Sequence, residues 1–294
     1  MRNFLLLFVI FFLNEKMIFS AEIEKKCKNL VKVVTIDTGV DLQNEKIRSH
    51  LIRGPSGFLG KNVLYNGAPI QDFNGHGTQM ADIITNVSNC AQIIPVSYWE
   101  DSASLKINPF ISALEEAINY NPKIINISGG GNSFYEREYL AIKKAESLGI
   151  IIVSAAGNDG KNIDIPNNKY FPASYGASNI ITVNAVDKNG ELGKFSNYGS
   201  YTVDISAIGI DVASFGLYNE KLISSGTSQA TAYVSGVISN LLSINPNLDP
   251  TQIRNILYLT ADRSPSLIYK SRSGGIVNEK RAISGLMSKS FYFK

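Results

Sequence analysis

The chain has 294 residues, 44% of them hydrophobic and 18% charged, with a formal net charge of +3. This balance excludes a disordered or fibrous chain, and the length suffices for one substantial core. No basic run is interleaved with aromatic residues, so nucleic-acid binding has no compositional support.

The first element along the chain reads as an address. Met1-Arg2-Asn3 is a short positive segment, residues 4–13 are an unbroken apolar run, and Asn14-Glu15-Lys16 interrupts it before small Ser20 and Ala21. Such a run suits a signal peptide and is too short to span a bilayer. The expectation is a signal peptide over residues 1–20, one domain over residues 21–294, and an exported protein without stable membrane insertion after cleavage. In an exported chain the two cysteines, Cys27 and Cys90, point to one disulfide rather than a metal site, which needs more ligands. Two unrelated buried thiols are the alternative.

Beyond residue 30, short β-rich apolar runs alternate with helical patterns. Residues 31–36, 93–96, 124–127, 150–153 and 180–186 are nearly continuous hydrophobic stretches, as strands buried on both faces should be. A helix beginning at Asn108-Pro109 carries Ile111, Leu114 and Ile118 and stops at Asn121-Pro122. Ser133 and Glu136 have capping-box spacing at the head of a helix that Gly149 closes, and Asp249-Pro250 opens another. Strand–helix alternation predicts a parallel sheet with helices on both faces.

In such sheets, ligands gather where strands end and helices begin. Four of these exits carry unusual chemistry. "VVTIDTGVD" ends a strand at Asp37, either a turn aspartate or a carboxylate kept for a partner. "FNGHGTQMADII" sets His76 between glycines at a helix start, and the only other histidine, His50, has no comparable frame. "IIIVSAAGNDG" exits into Asn158, either a turn residue or a neutral amide able to donate to an oxyanion. "SSGTSQATAYVSG" places Ser228 at the head of a helix, where Thr227 or Ser228 is either an N-cap or a nucleophile. Taken jointly, these groups supply the parts of an acyl-transfer site. Ser228 is the nucleophile, His76 its base and Asp37 the group orienting the imidazole. Asn158 and the Ser228 backbone N–H hold the oxyanion.

At this point the chain resembles the subtilisin-like serine proteases, the subtilases. The resemblance rests on "VVTIDTG", "NGHGT", "INISGG", "VSAAGN", "FPAS" and "SGTSQAT" in that order, and on the closing "GGIVNEKRAI". It implies a three-layer α/β/α fold around a roughly seven-stranded parallel sheet. It also implies a serine endopeptidase acting on peptides or proteins, with Asp37, His76 and Ser228 as triad and Asn158 as oxyanion donor. By the same resemblance Ser128, Gly129 and Gly130 line the cleft and pair with substrate backbone as an added strand. Tyr170 then stands where several relatives keep a glycine at the base of the specificity pocket, so an aromatic ring there shortens it. Asp159 argues the other way, for a basic side chain at the pocket rim. The family topology makes the strands after Cys27 and Cys90 parallel neighbours, which brings the two cysteines within bridging reach.

The chain departs from the family pattern at Gln79, Asp82, Gln229 and Ala232, none of them a catalytic group. Asp82 replaces a frequent glycine and is expected to crowd a helix contact. Barely ten residues separate the expected cleavage point from the first strand, too few for a folding pro-domain. The segment between His76 and the strand near Ile93 is short and has no alternating Asp/Asn run, so neither calcium nor any other cofactor is implied. A catalytically silent peptide binder with the same cleft is the alternative, which covalent labelling by a fluorophosphonate would separate. A lipase-type hydrolase requires G-x-S-x-G with its histidine after the serine, which this order lacks.

Overall fold

The structure, a computed structural model, describes residues 27–55, 57–65, 67–98 and 109–288. The expected signal peptide and its cleavage point lie outside the described residues.

Long apolar runs form the middle of the sheet: β1 (Val31–Asp37), with β5 (Ala91–Ser97), β6 (Ile124–Ile127), β7 (Ile151–Ala155) and β8 (Ile180–Val186). Shorter elements complete the set. These are β2 (Arg53–Gly54), β3 (Gly57–Phe58), β4 (Lys61–Asn62), β9 (Ile205–Ile208), β10 (Val212–Phe215), β11 (Lys221–Ser224), β12 (Asp262–Arg263) and β13 (Gly275–Ile276). One sheet runs β12-β13-β9-β8-β7-β6-β1-β5-β4, parallel throughout except for β12 against β13. It has nine strands against the seven or so expected, the excess lying in two-residue strands at its edges.

Among the described residues seven helices flank it: α1 (Glu45–His50), α2 (His76–Val87), α3 (Pro109–Asn119), α4 (Glu136–Ser147), α5 (Thr227–Ile244), α6 (Pro250–Thr260) and α7 (Glu279–Met287). Successive strand side chains point to opposite faces, and the core divides accordingly. Val33, Ile93, Ile124 and Ile151 pack with Met80 and Ile84 of α2 and Val234 and Ile238 of α5. Val34, Ile94, Ile125 and Ile152 pack with Leu114 of α3 and Ile142 of α4. The three layers expected from the sequence are therefore present.

Two local expectations are corrected. Ser133 and Glu136 form no capping box; the N-cap of α4 is Tyr135, without a side-chain cap. Aromatic packing takes this segment instead: the Tyr135 N–H donates to the Tyr175 hydroxyl at 3.2 Å, and Phe134 stacks edge-on against Phe171 and Tyr175. Asp82 does not crowd its helix contact. Its buried carboxylate accepts from Lys46 Nζ (3.2 Å), Asn86 Nδ2 (2.8 Å) and the Phe215 N–H (3.0 Å), turning outward to the β10–β11 hairpin. The close crossing of α2 and α5 is made at Gly236, where a Cβ would lie 2.6 Å from that of Val87.

The disulfide between Cys27 and Cys90 is present, its Cα atoms 5.5 Å apart. Its basis is the expected adjacency, since β1 pairs in parallel with β5 and Val31 stands opposite Ala91.

Candidate active site

Register decides which strand exits become neighbours. Asp37 pairs with Ser97 at the end of β5, Ile36 with Ile127 at the end of β6, and Ile127 with Ser154 of β7. Tyr98, Asp37, Ser128 and Asn158 therefore leave four adjacent strands at one edge of the sheet. A cleft of about 430 Å³ opens there, lined by Asp37, His76, Tyr98, Ser128–Gly130 and Tyr170 among others.

Asp37 is 4% exposed, and its carboxylate accepts the Thr38 N–H at 2.8 Å and faces His76 Nδ1 at 2.7 Å. The imidazole is brought to it by a tight helix entry. Gly75 has φ +101°, and a Cβ on Gly77 would lie 2.2 Å from the Gly39 carbonyl oxygen, so the head of α2 rests on the turn after β1. Asp72 fixes this entry, accepting the N–H groups of Asn74, Gly75 and Thr78, each at 2.9 Å, and the Thr78 hydroxyl at 2.6 Å. The charge of Asp37 raises the His76 pKa above its ordinary 6.5; burial opposes this, and the Asp37 hydrogen bond and Asp72 add to the rise.

The serine is not a helix cap. The N-cap of α5 is Gly226, and no side chain caps the helix from that position. Ser228 lies in the first turn, and its hydroxyl donates to the Ser128 carbonyl at 2.7 Å, while the Ser128 hydroxyl donates back to the Ser228 carbonyl at 3.3 Å. Asn158 supplies the cap from another strand exit. Its Oδ1 accepts both the Thr227 N–H (3.0 Å) and the Thr227 hydroxyl (2.9 Å). With Oδ1 so committed, the amide is left to donate through Nδ2.

Gly130 and Gly157 flank the Tyr170 ring. A Cβ on Gly130 would lie 2.8 Å from ring atom Cε1, and one on Gly157 2.9 Å from Cδ2. The ring therefore fills the space between the backbones leaving β6 and β7. Burial, with the nearby Asp159 charge, pushes the Tyr170 hydroxyl up to about 12.

The structure thus gathers Asp37, His76, Ser128, Gly129, Gly130 and Tyr170 around one cleft. Ser228 and Asn158 adjoin it through Ser128 and the head of α5. Sequence reasoning missed Tyr98 and Asp72. Tyr98 directly follows β5, so the same strand-exit rule would have found it. Asp72 stands two residues before Asn74-Gly75, an Asx-turn signal. Among the described residues no group of three or more His, Cys, Asp or Glu side chains is placed to hold a metal ion.

Residues 28–281 match the model of the subtilase family. The chain belongs to that family. It is 34% identical over 265 residues to the thermostable alkaline protease of Halalkalibacterium halodurans, covering 86% of this chain and 68% of that protein. It is 31% identical over 261 residues to Subtilisin DY of Bacillus licheniformis, covering 86% and 90%. It spans 65% of the length of Subtilisin E of Bacillus subtilis. Among solved structures it is similar to one of the subtilase cytotoxin SubAB assembly (TM-score 0.75, 27% identity, 91% and 93% covered). It is also similar to a cold-adapted subtilisin-like serine proteinase (TM-score 0.71, 27% identity, 86% and 89% covered). By this kinship the subtilase described here is a serine endopeptidase.

Proposed function

We propose that this subtilase hydrolyses peptide bonds through an acyl-enzyme on Ser228, with His76 as base and Asp37 as the group that orients the imidazole. The observation that carries the reading is the 2.7 Å contact between Asp37 and His76 Nδ1 at a buried strand exit, in a cleft shared with Ser128, whose carbonyl accepts the Ser228 hydroxyl. A carboxylate on Nδ1 leaves Nε2 as the nitrogen that takes the serine proton and later returns it to the leaving amine. The Ser228 hydroxyl, held by the Ser128 carbonyl in the free enzyme, turns to His76 as substrate binds.

The tetrahedral oxyanion is held by Asn158 Nδ2 and the Ser228 N–H, with the positive end of α5 behind them. Ser128, Gly129 and Gly130 receive the substrate backbone as an added strand. Tyr170 closes the base of the specificity pocket and favours small side chains before the scissile bond. The substrates are peptides or proteins, and the protein works outside the cytoplasm: an N-terminal apolar run and an intact disulfide both suit an oxidising compartment.

The test is a mutant cycle on a chromogenic peptide. Ser228→Ala and His76→Ala each abolish most turnover, and the double variant is scarcely worse than either, because the two act as one unit. A double variant that loses the product of the single losses would refute the assignment.

A further inference from the structure

A cavity away from the cleft has no part in the proposed reaction. About 410 Å³ in volume, it lies at the entry end of β8, the opposite strand end from the cleft. Its walls carry three cations, Lys169, Arg254 and Arg272, against one carboxylate, Asp204. We propose that it is a binding site for a small organic phosphate or sulfate ester.

The carboxylate is already spent. Asp204 accepts the Thr182 N–H at 2.8 Å, Arg254 Nε at 3.0 Å and the Tyr258 hydroxyl, so it has no strong acceptor capacity left for a cation. Arg254 cancels its charge and also donates to the Ile180 carbonyl at 2.5 Å. Two nearby carboxylates do not line the cavity and are engaged as well. Asp164 accepts from Ser200, Tyr201 and Thr202, and Glu146 takes the Ser178 N–H and pairs with Lys143.

Lys169 and Arg272 remain. Neither forms an ion pair among the described residues, and Arg272 is held toward the cavity rim by a hydrogen bond to the Tyr201 carbonyl. Two uncompensated cations lining one open cavity repel each other, and an anion between them relieves that repulsion. The hydroxyls of Ser178 and Thr202, both on the cavity wall, have no partner among the described residues. A tetrahedral oxyanion has the lone pairs to use several such donors at once, and a guanidinium fork fits it. The volume exceeds what a bare oxyanion fills, and the lining residue Tyr201, 76% exposed, offers an apolar face to the rest of an ester.

Calorimetry on the Ser228→Ala chain, which cannot digest itself, tests the site with phenyl phosphate, phenyl sulfate, inorganic phosphate and acetate. The expected result is saturable binding of the two esters, weaker binding of inorganic phosphate and none of acetate. Arg272 is exposed and Lys169 half-buried, which permits a folded Lys169→Gln/Arg272→Gln variant, checked by its melting temperature, in which ester affinity falls roughly 10-fold or more. An Arg53→Gln control binds as before. The proposal is overturned if no ester binds saturably, or if binding survives the double substitution; binding of inorganic phosphate alone, equal in both chains, marks an adventitious ion only and overturns it equally.

Discussion

Tyr170→Gly converts the pocket argument into a measurable ratio. The ring lies between Gly130 and Gly157, close enough that a Cβ on either glycine would sit under 3 Å from it. Removing the ring leaves a slot between two glycine backbones of the width of an aromatic side chain. If the ring closes the specificity pocket as proposed, a phenylalanine before the scissile bond then buries its side chain there, a gain of about 1.5–3 kcal/mol. That corresponds to a roughly 10- to 150-fold rise in the ratio of kcat/KM for Phe over Ala at that position. The assay compares matched peptide p-nitroanilides differing only in that residue, at substrate concentrations well below KM. Tyr170 also packs on Ala156, Ile163, Ala173 and Val203, so a melting curve establishes that the variant is folded. A folded variant with an unchanged ratio would refute the reasoning, and so would a native enzyme that prefers Phe or Tyr to Ala.

Asn158→Ala removes the proposed oxyanion donor and should lower kcat by about 10²–10³ with little change in KM, the magnitude found for such a donor in a relative rather than one worked from this structure; a change confined to KM would contradict the role. His76 must be neutral to act as base, and because Asp37 raises its pKa, kcat/KM should fall as pH drops through a value above 6.5. Asp37→Asn, besides slowing turnover, should move that acid limb to lower pH; a limb that stays put or rises would show that another group titrates. The Cys27–Cys90 bridge closes a separation of 63 residues, which the chain-entropy relation values at about 4 kcal/mol. Replacing both cysteines by serine should therefore lower Tm by roughly 8–16 °C, and a fall within a degree or two would refute that account.

The parts of this fold that were legible in the sequence are those where one physical demand dominates. Residues 31–36, 124–127 and 180–186 are nearly continuous hydrophobic runs, so hydrophobicity alone identifies them as strands, and the exit of the first then identifies Asp37, whereas Ser128 was reached only through the family resemblance. Where two demands compete, the pattern misleads. Ser133 and Glu136 have the spacing of a capping box, but Phe134 is drawn into contact with Phe171 and Tyr175, and that aromatic packing displaces the cap. The short strands β9 and β13 pair through backbone groups that carry no side-chain signature, so composition could not reveal them.

The site divides along the same line. Each reactive residue type was visible at its own turn, yet whether Ser228 caps its helix or stands free depends on a residue 70 positions away. Asn158 accepts the Thr227 N–H and hydroxyl, and so satisfies the head of α5 from outside the helix. That leaves the serine hydroxyl without a capping duty and the Asn158 Nδ2 without a partner among the described residues. One pair of hydrogen bonds thus frees both the proposed nucleophile and the proposed oxyanion donor. It couples two loops whose sequences, "SAAGN" and "SGTSQ", each read separately as an ordinary turn. The proposed chemistry depends on that coupling: a chain with the same two turns, but with Asn158 rotated away from Thr227, would lose the external cap that leaves both groups available.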